Sequence, residues 1–322
     1  MFFRQIFRGC QFARGTSGGV LRIDRFSTPT RCRHSLESAC HTAGMNGNSP
    51  DDGLAANRAL WDARAQAHGT TPNDMLYDVD SFLAGRQTLY GIELELAGDV
   101  TGQDVLHLQC HFGMDTLNWA RLGARVTGVD FSSTAIVRAR ELAELAGLTA
   151  DFVEADTQNL PSGLAGRFDL VIATYGVLCW IGDLDAWMRG AAMALRPGGR
   201  LVLVDLHPAY QTLATYEPLV ADWPYGGGEP QREVVTGTYA DPDLPMTAQE
   251  VVQYPHSVGE IVTAAAGSGL IIDRLGEHTE AEFPGSRILP EGPDGTRRFP
   301  FGDTYLPILY SLRARSPRTA PA

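Results

Sequence analysis

The sequence contains no lysine: arginine supplies all 26 of its Lys/Arg residues, against 38 acidic residues, for a formal net charge of −12. The missing lysine reads as a coding bias and not as chemistry. The missing positive excess says more, because a nucleic-acid binder needs a basic stripe to displace counterions from phosphates. The acidic balance predicts no nucleic-acid partner and fits a small or cationic substrate. Long apolar runs are also absent. No stretch approaches the roughly 18 uninterrupted apolar residues of a membrane span, which predicts no membrane partner and a cytoplasmic protein. The five cysteines, Cys10, Cys32, Cys40, Cys110 and Cys179, are odd in number and irregular in spacing, so no disulfide framework is expected. No Cys-x-x-Cys pair exists, which argues against zinc at Cys32, His34, Cys40 and His41; no metal is expected. No internal repeat is apparent.

What is there suits one large α/β domain with decorations: 322 residues, 44% of them apolar. Residues 1–50 stand apart. Arg4, Arg8, Arg14, Arg22, Arg25, Arg31 and Arg33 face only Asp24 and Glu37, without sustained periodicity. An Arg-rich, acid-poor segment with serines has the composition of an organelle transit peptide; the rival reading is a gene start placed too early, with Met45 as first residue, and we favour the rival. Either way the segment is expected to be disordered and outside the function.

Residues 51–97 predict a helical cap: a helix over 54–67, a second capped by Asn73 and ending near Gly85, and a third opened by Thr88. From residue 98 the pattern becomes alternating strand and helix. Strands are expected at 104–109, 124–130, 151–155, 168–173 and 200–206. Helices are expected at 113–122, from the Ser132 cap to Gly147, and 183–195. Such alternation predicts a doubly wound, mainly parallel sheet with helices on both faces, whose ligand lies at the carboxyl ends of the strands. Residues 207–255 and 279–304 read as inserts. Between them Ser257 and Glu260 form a capping box, and the last strands are expected at 270–275 and 305–313.

The informative stretch is Val105-Leu-His-Leu-Gln109-Cys110-His111-Phe112-Gly113, an apolar strand running into a tight turn that opens a helix. Backbone N–H groups in such a turn approach a ligand closely, and the helix N-terminus favours its negative groups. Seventeen residues on, Asp130 closes the second strand, where a carboxylate can accept from both ribose hydroxyls. Asp156, after the third strand, is placed to accept from an adenine amino group. Together they point to a nucleoside-containing ligand.

Residues 105–130 resemble the first two motifs of the class I S-adenosylmethionine-dependent methyltransferases. Ala155-Asp156 resembles the third motif and Phe168–Tyr175 the fourth. Leu195-Arg-Pro-Gly-Gly-Arg-Leu-Val-Leu-Val204 resembles the family's fifth strand. The departures are His107, Gln109 and His111 where the family has an acidic residue and early glycines; an uncharacterised bacterial subgroup shares this variant. The resemblance implies a Rossmann-like seven-stranded fold over 98–316, with S-adenosylmethionine as cofactor and methyl transfer to a small-molecule oxygen or nitrogen. It places the cofactor on Gln109, Cys110, His111, Gly113, Asp130, Phe131, Asp156, Thr157 and Thr174. Methyl transfer from a sulfonium needs alignment and exclusion of water, and a hydroxyl acceptor also needs a base. Tyr175 and His207, at strand ends, are the candidates for catalysis and, with Tyr90, for the acceptor; His256 is a weaker third. The aromatic-rich insert 207–255 is expected to be a lid. His107, Cys110 and Cys179 read as core residues, the cysteines as small apolar groups.

Two rival readings share the fold. A nicotinamide-dependent oxidoreductase wants Gly-x-Gly-x-x-Gly, which Gln109 and His111 break. A non-catalytic binding or assembly protein could keep the fold without turnover. Residues 1–44 lack the apolar periodicity needed to dock on a core. A chain beginning at Met45 should therefore melt at the same temperature as the full chain in scanning calorimetry; a drop of several degrees would show that the arm packs on the domain.

Overall fold

Strand-helix alternation builds one seven-stranded sheet in the computed structural model, which describes residues 50–318 apart from 75, 214–219, 242, 283–288, 290, 291 and 293. The arginine-rich arm and its Cys32–His41 cluster lie outside the described residues. In chain order the elements are α1 (Pro50–Ala67), α2 (Val79–Leu83), α3 (Gly91–Ala97), β1 (Asp104–Leu108), α4 (Met114–Arg121), β2 (Arg125–Asp130), α5 (Ser133–Ala146), β3 (Asp151–Glu154), β4 (Phe168–Thr174), α6 (Leu184–Ala194) and β5 (Leu195–Leu206). There follow α7 (Pro208–Gln211), β6 (Gln231–Val235), β7 (Gln249–Gln253), α8 (Val258–Gly267), β8 (Ile271–His278), β9 (Glu280–Ala281), β10 (Arg297–Phe301), β11 (Thr304–Leu306) and β12 (Leu309–Arg315).

The sheet order is β3-β2-β1-β4-β5-β12-β8, with β12 antiparallel to both neighbours and the first five strands parallel. Period-2 alternation sends successive side chains to opposite faces. Leu106, Leu108, Val171, Leu201 and Leu203 pack on α6 and α8 through Trp187, Met188 and Ile261. Val105, Leu170, Ile172, Val202 and Val204 pack through Leu96 and Trp119 on α3 and α4. An antiparallel strand inserted between β5 and β8 departs from the six-strand order of nicotinamide-binding folds.

The caps expected at Ser132 and Asp183, and the Ser257–Glu260 capping box, are in place. Other boundaries differ for local reasons. Asn73 caps nothing; beside it Asp74 accepts N–H groups from Gly69, Leu76 and Tyr77 at 2.7, 2.9 and 2.7 Å, which holds a turn in competition with helix. The second helix waits for the Asp78 cap, and the third for Tyr90. The final strand is broken into β11 and β12 at Pro307, which has no N–H for a ladder. The insert after β5 contains the β6–β7 hairpin, and the second insert a three-stranded sheet.

Gly113 is the glycine this arrangement needs. Its φ is +86°, and a Cβ there would lie 2.9 Å from the Phe152 ring and 3.1 Å from Ala139 Cβ. Gly113→Ala should cost about 1–3 kcal/mol through strain and overpacking, read as a lower melting temperature. An unchanged melting temperature would show that β3 and α5 give way without cost.

Candidate active site

Among the described residues, three non-glycine residues have left-handed backbone: Gln109 (φ 54°), His111 (51°) and Tyr175 (57°). All three follow the carboxyl ends of β1 and β4. Such conformations cost on the order of 1–3 kcal/mol each and persist where the surroundings over-determine them. Here they do. Gln109 donates to the Val177 carbonyl at 2.9 Å and accepts from the Trp187 indole at 3.0 Å. The His111 N–H donates to Asp130 Oδ2 at 2.8 Å, and the Ser132 N–H donates to Oδ1 at 2.9 Å. Tyr175 N–H donates to the Val204 carbonyl at 2.8 Å.

These turns floor a cavity of about 210 Å³. Its floor is formed by Gln109, Cys110, His111, Gly113 and Thr174, with Phe131 at the β2 side. Arg86, Thr88 and Asp115 line it near the α4 N-terminus, and Tyr90 and Tyr175 line it at the β4 side. The roof is aromatic: Trp61 from α1, Tyr77, Trp180 and Tyr239. Helix α1 is held to the hairpin by Asn57, whose amide donates to Val252 O at 2.7 Å and accepts from Val252 N–H at 2.9 Å. Arg64 lies 5.2 Å from the Trp61 ring, 5.8 Å from Trp180 and 5.5 Å from Tyr239. A hydrogen-bonded chain descends from this roof: Thr238 Oγ1 to His68 Nε2 at 2.5 Å, then His68 Nδ1 to His111 Nε2 at 2.8 Å. Tyr77 and Tyr239 share a hydroxyl contact at 2.6 Å.

Burial sets the charges. It lowers His111 to about 3 and His68 well below its usual value, with neighbouring charges adding to the effect, so both rings are neutral near pH 7. It raises the carboxyls instead: Asp130 to about 6, Asp115 to about 6 and Glu93 to about 7. His111 Nδ1 is buried without a hydrogen-bond partner among the described residues. A buried polar atom left unmatched on a cavity floor is a place for a ligand's polar group.

The structure gathers Tyr90, Gln109, Cys110, His111, Gly113, Phe131, Thr174 and Tyr175 on the cavity lining. Asp130 is set just behind it, 6% exposed. Asp156 accepts from Gln158 N–H at 3.0 Å and caps a short turn that contains the buried Thr157; neither lines the cavity. His207 is buried away from it. Its Nδ1 accepts the Ala209 N–H at 3.1 Å and caps α7, which leaves the proton on Nε2, 2.8 Å from Glu277. His256 donates to the Ile181 carbonyl at 2.7 Å. His107 is a core residue bonded to Thr116 at 2.8 Å, although its edge reaches the cavity. Burial pushes the Cys110 thiol well up and Cys179 to about 12, so both remain thiols.

Several site residues escaped the sequence reading. Asp115, in the first turn after Gly113, carried a positional signal. Tyr239 lies in the aromatic insert expected to be a lid, while Trp61, Glu93 and Asp205 carried no such signal. Asp205, 3% exposed, accepts backbone N–H groups from Gly176, Leu178 and Leu206, the latter two at 2.9 and 2.7 Å. It shapes the turn that presents Tyr175.

Fold and cavity define a doubly wound domain with a pocket at the switch point between β1 and β4. Residues 106–201 match the methyltransferase domain family. Over 126 residues the chain is 33% identical to an uncharacterised methyltransferase of Synechocystis, covering 39% of this chain and 57% of the relative. It is 34% identical over 117 residues to a ubiquinone biosynthesis O-methyltransferase of Methylobacterium, covering 36% and 45%. The chain thus spans about half the length of the curated relatives it matches. An S-adenosylmethionine-dependent methyltransferase structure from Listeria monocytogenes superposes with a TM-score of 0.50 at 17% identity, over 70% of this chain and 96% of that one; this likeness concerns the fold. The family match thus concerns residues 106–201, and the fold around them is one shared with S-adenosylmethionine-dependent methyltransferases.

Asp205→Ala should leave the Gly176 and Leu178 N–H groups unmatched and cost roughly 1–3 kcal/mol. Chemical denaturation measures it; a loss below about 0.5 kcal/mol would show that the turn holds without the carboxylate.

Proposed function

We propose that this protein transfers a methyl group from S-adenosylmethionine to a small-molecule acceptor. The observation that carries the reading is the β1 turn. A buried carboxylate, Asp130, fixes left-handed His111, and the cavity opens directly over that turn, with an unmatched ring nitrogen on its floor. The residues fit a nucleoside with a charged tail. Each oxygen of Asp130 accepts one backbone N–H and keeps a second acceptor site for a ribose hydroxyl. Phe131 offers a face to the base. Arg86 and Asp115 line the same cavity with opposite charges, which suits an amino-acid zwitterion. When bound, S-adenosylmethionine supplies a methyl group already activated on a sulfonium.

The chain's residues then exclude water and align the acceptor. The roof of Trp61, Tyr77, Trp180 and Tyr239 covers one side of the cavity with apolar rings, and a concave chamber of this kind suits a small molecule. Tyr90 and Tyr175 stand at the acceptor side. The O-methyltransferase relatives support an oxygen acceptor. His207 takes no step here, because both ring nitrogens serve α7 and Glu277.

Calorimetry should detect S-adenosylmethionine or S-adenosylhomocysteine; no heat at millimolar ligand would sink the reading. Asp130→Ala should weaken binding by about 1.5–3 kcal/mol, tenfold or more. The sign of the pH effect follows from burial, which holds Asp130 at about 6. Ribose donors favour the carboxylate, so its pKa falls on binding. Affinity should therefore decrease as pH drops through about 6, and protons should be released on binding; pH-independent affinity would remove Asp130 from the ribose site.

A further inference from the structure

The acceptor side of the cavity ends on a buried contact. The Tyr175 hydroxyl donates to Glu93 Oε2, and Glu93 Oε1 accepts the Tyr90 N–H at 2.6 Å. Glu93 is 1% exposed, and both of these donors are neutral. Closing α3 does not require this burial, since a capping-box glutamate works equally well in solvent. Burying a carboxylate without a cation is costly. On the other side of the contact, Tyr175 adopts a left-handed backbone at φ 57°. Two local costs thus converge on one hydrogen bond. The phenol, packed edge-on against Tyr90 with ring centroids 5.4 Å apart, stands in the wall between cavity and carboxylate.

We propose that Glu93, acting through the Tyr175 phenol, takes the proton of a hydroxyl acceptor, which makes this an O-methylating site for a phenol or alcohol. The proposal rests on the methyl-transfer reading. As the acceptor oxygen bonds to the methyl carbon, the carbon–sulfur bond breaks and its electron pair stays on sulfur. Tyr175 Oη receives the acceptor's proton and passes its own to Glu93 Oε2. The phenol is regenerated, and Glu93 later returns the proton to solvent. A neutral amine already presents its lone pair and would leave this relay idle.

The electrostatics agree with the geometry. Burial pushes Glu93 up to about 7, against the pull of the Tyr175 and Tyr90 hydrogen bonds, and Asp115 on α4 adds to the rise. A proton acceptor works best when its pKa is near the working pH. Burial and the nearby carboxylate hold Tyr175 well above its usual range, so it passes a proton on without storing charge. The other titratable groups around this corner are Arg86, near Tyr90, Glu282, bonded to the Gly91 N–H at 3.2 Å, and Glu277, His278 and Glu280, which line a second pocket with Tyr90 and Tyr175.

Glu93→Gln in the full chain tests the relay, because the amide oxygen can still accept the Tyr90 N–H at nearly the same volume. A raised carboxyl pKa stabilises the fold below its ordinary value, and that contribution is lost as pH rises through about 7. The variant should therefore melt at or above the parent at pH 8, which also verifies folding. Infrared titration should show a protonated-carboxyl band that disappears around pH 7 in the parent and is missing from Glu93→Gln. A band that does not titrate between about pH 5 and 9 overturns the proposal whatever the acceptor. Mass spectrometry with labelled S-adenosylmethionine and a panel of catechols, alcohols and anilines reads the chemistry. Hydroxyl acceptors should be methylated, with kcat falling below about pH 7. Glu93→Gln and Tyr175→Phe should each lower kcat by roughly 10²-fold or more and abolish that limb, with cofactor affinity unchanged. Methylation of anilines alone, or full turnover in Glu93→Gln, overturns the relay while cofactor binding stands. Absence of cofactor binding in the parent overturns the methyl-transfer reading and the relay with it.

Discussion

The Asp130 carboxylate holds the site together by accepting two backbone N–H groups, one from the β1 turn and one from the start of α5. Without it, left-handed His111 would lose the hydrogen bond of its own N–H and would be held through its side-chain contacts. Gly113 completes the constraint, since a side chain there would meet Phe152. The floor of the cavity is therefore built from neighbouring strand ends and not from the turn alone. This accounts for a turn that tolerates Gln109 and His111 where small residues would relax more easily: their side chains are tied to Val177, Trp187 and His68.

The roof depends on that floor. Helix α1 and the β6–β7 hairpin pair through the Asn57 amide, and the chain Thr238–His68–His111 fastens both to the β1 turn. Neutral imidazoles suit this role, because a charged ring in so dry a place would need a counterion. The carboxyls around the cavity behave in the opposite way. Glu93, Asp115, Asp130 and Asp205 are all raised by burial, yet each is matched by backbone or hydroxyl donors.

Much of the architecture was legible because it rests on local patterns. Short, nearly continuous apolar runs set β1, β2, β4 and β5, and side-chain caps at Ser132, Asp183 and Ser257 set the starts of α5, α6 and α8. Part of the site was legible for the same reason: Gln109, His111 and Gly113 share one turn. Legibility failed where a polar side chain had two possible uses. His207 has the strand-end position of a base, but the short helix after β5 takes its lone pair. Asp156 has the position of an adenine acceptor, but it caps the turn that follows β3.

The doubly wound sheet, the tight turn after β1 and the acid at the end of β2 are written in neighbouring residues, because hydrophobic period, glycine and capping chemistry act over a few positions. Which side chains face one another across the cavity follows from long-range packing. Glu93 and Tyr175 are 82 residues apart, His68 and Thr238 are 170 apart, and Asn57 and Val252 are 195 apart. No local propensity encodes such pairs. They exist because packing α3 against the sheet, and α1 against the hairpin, removes water from polar groups that must then find each other.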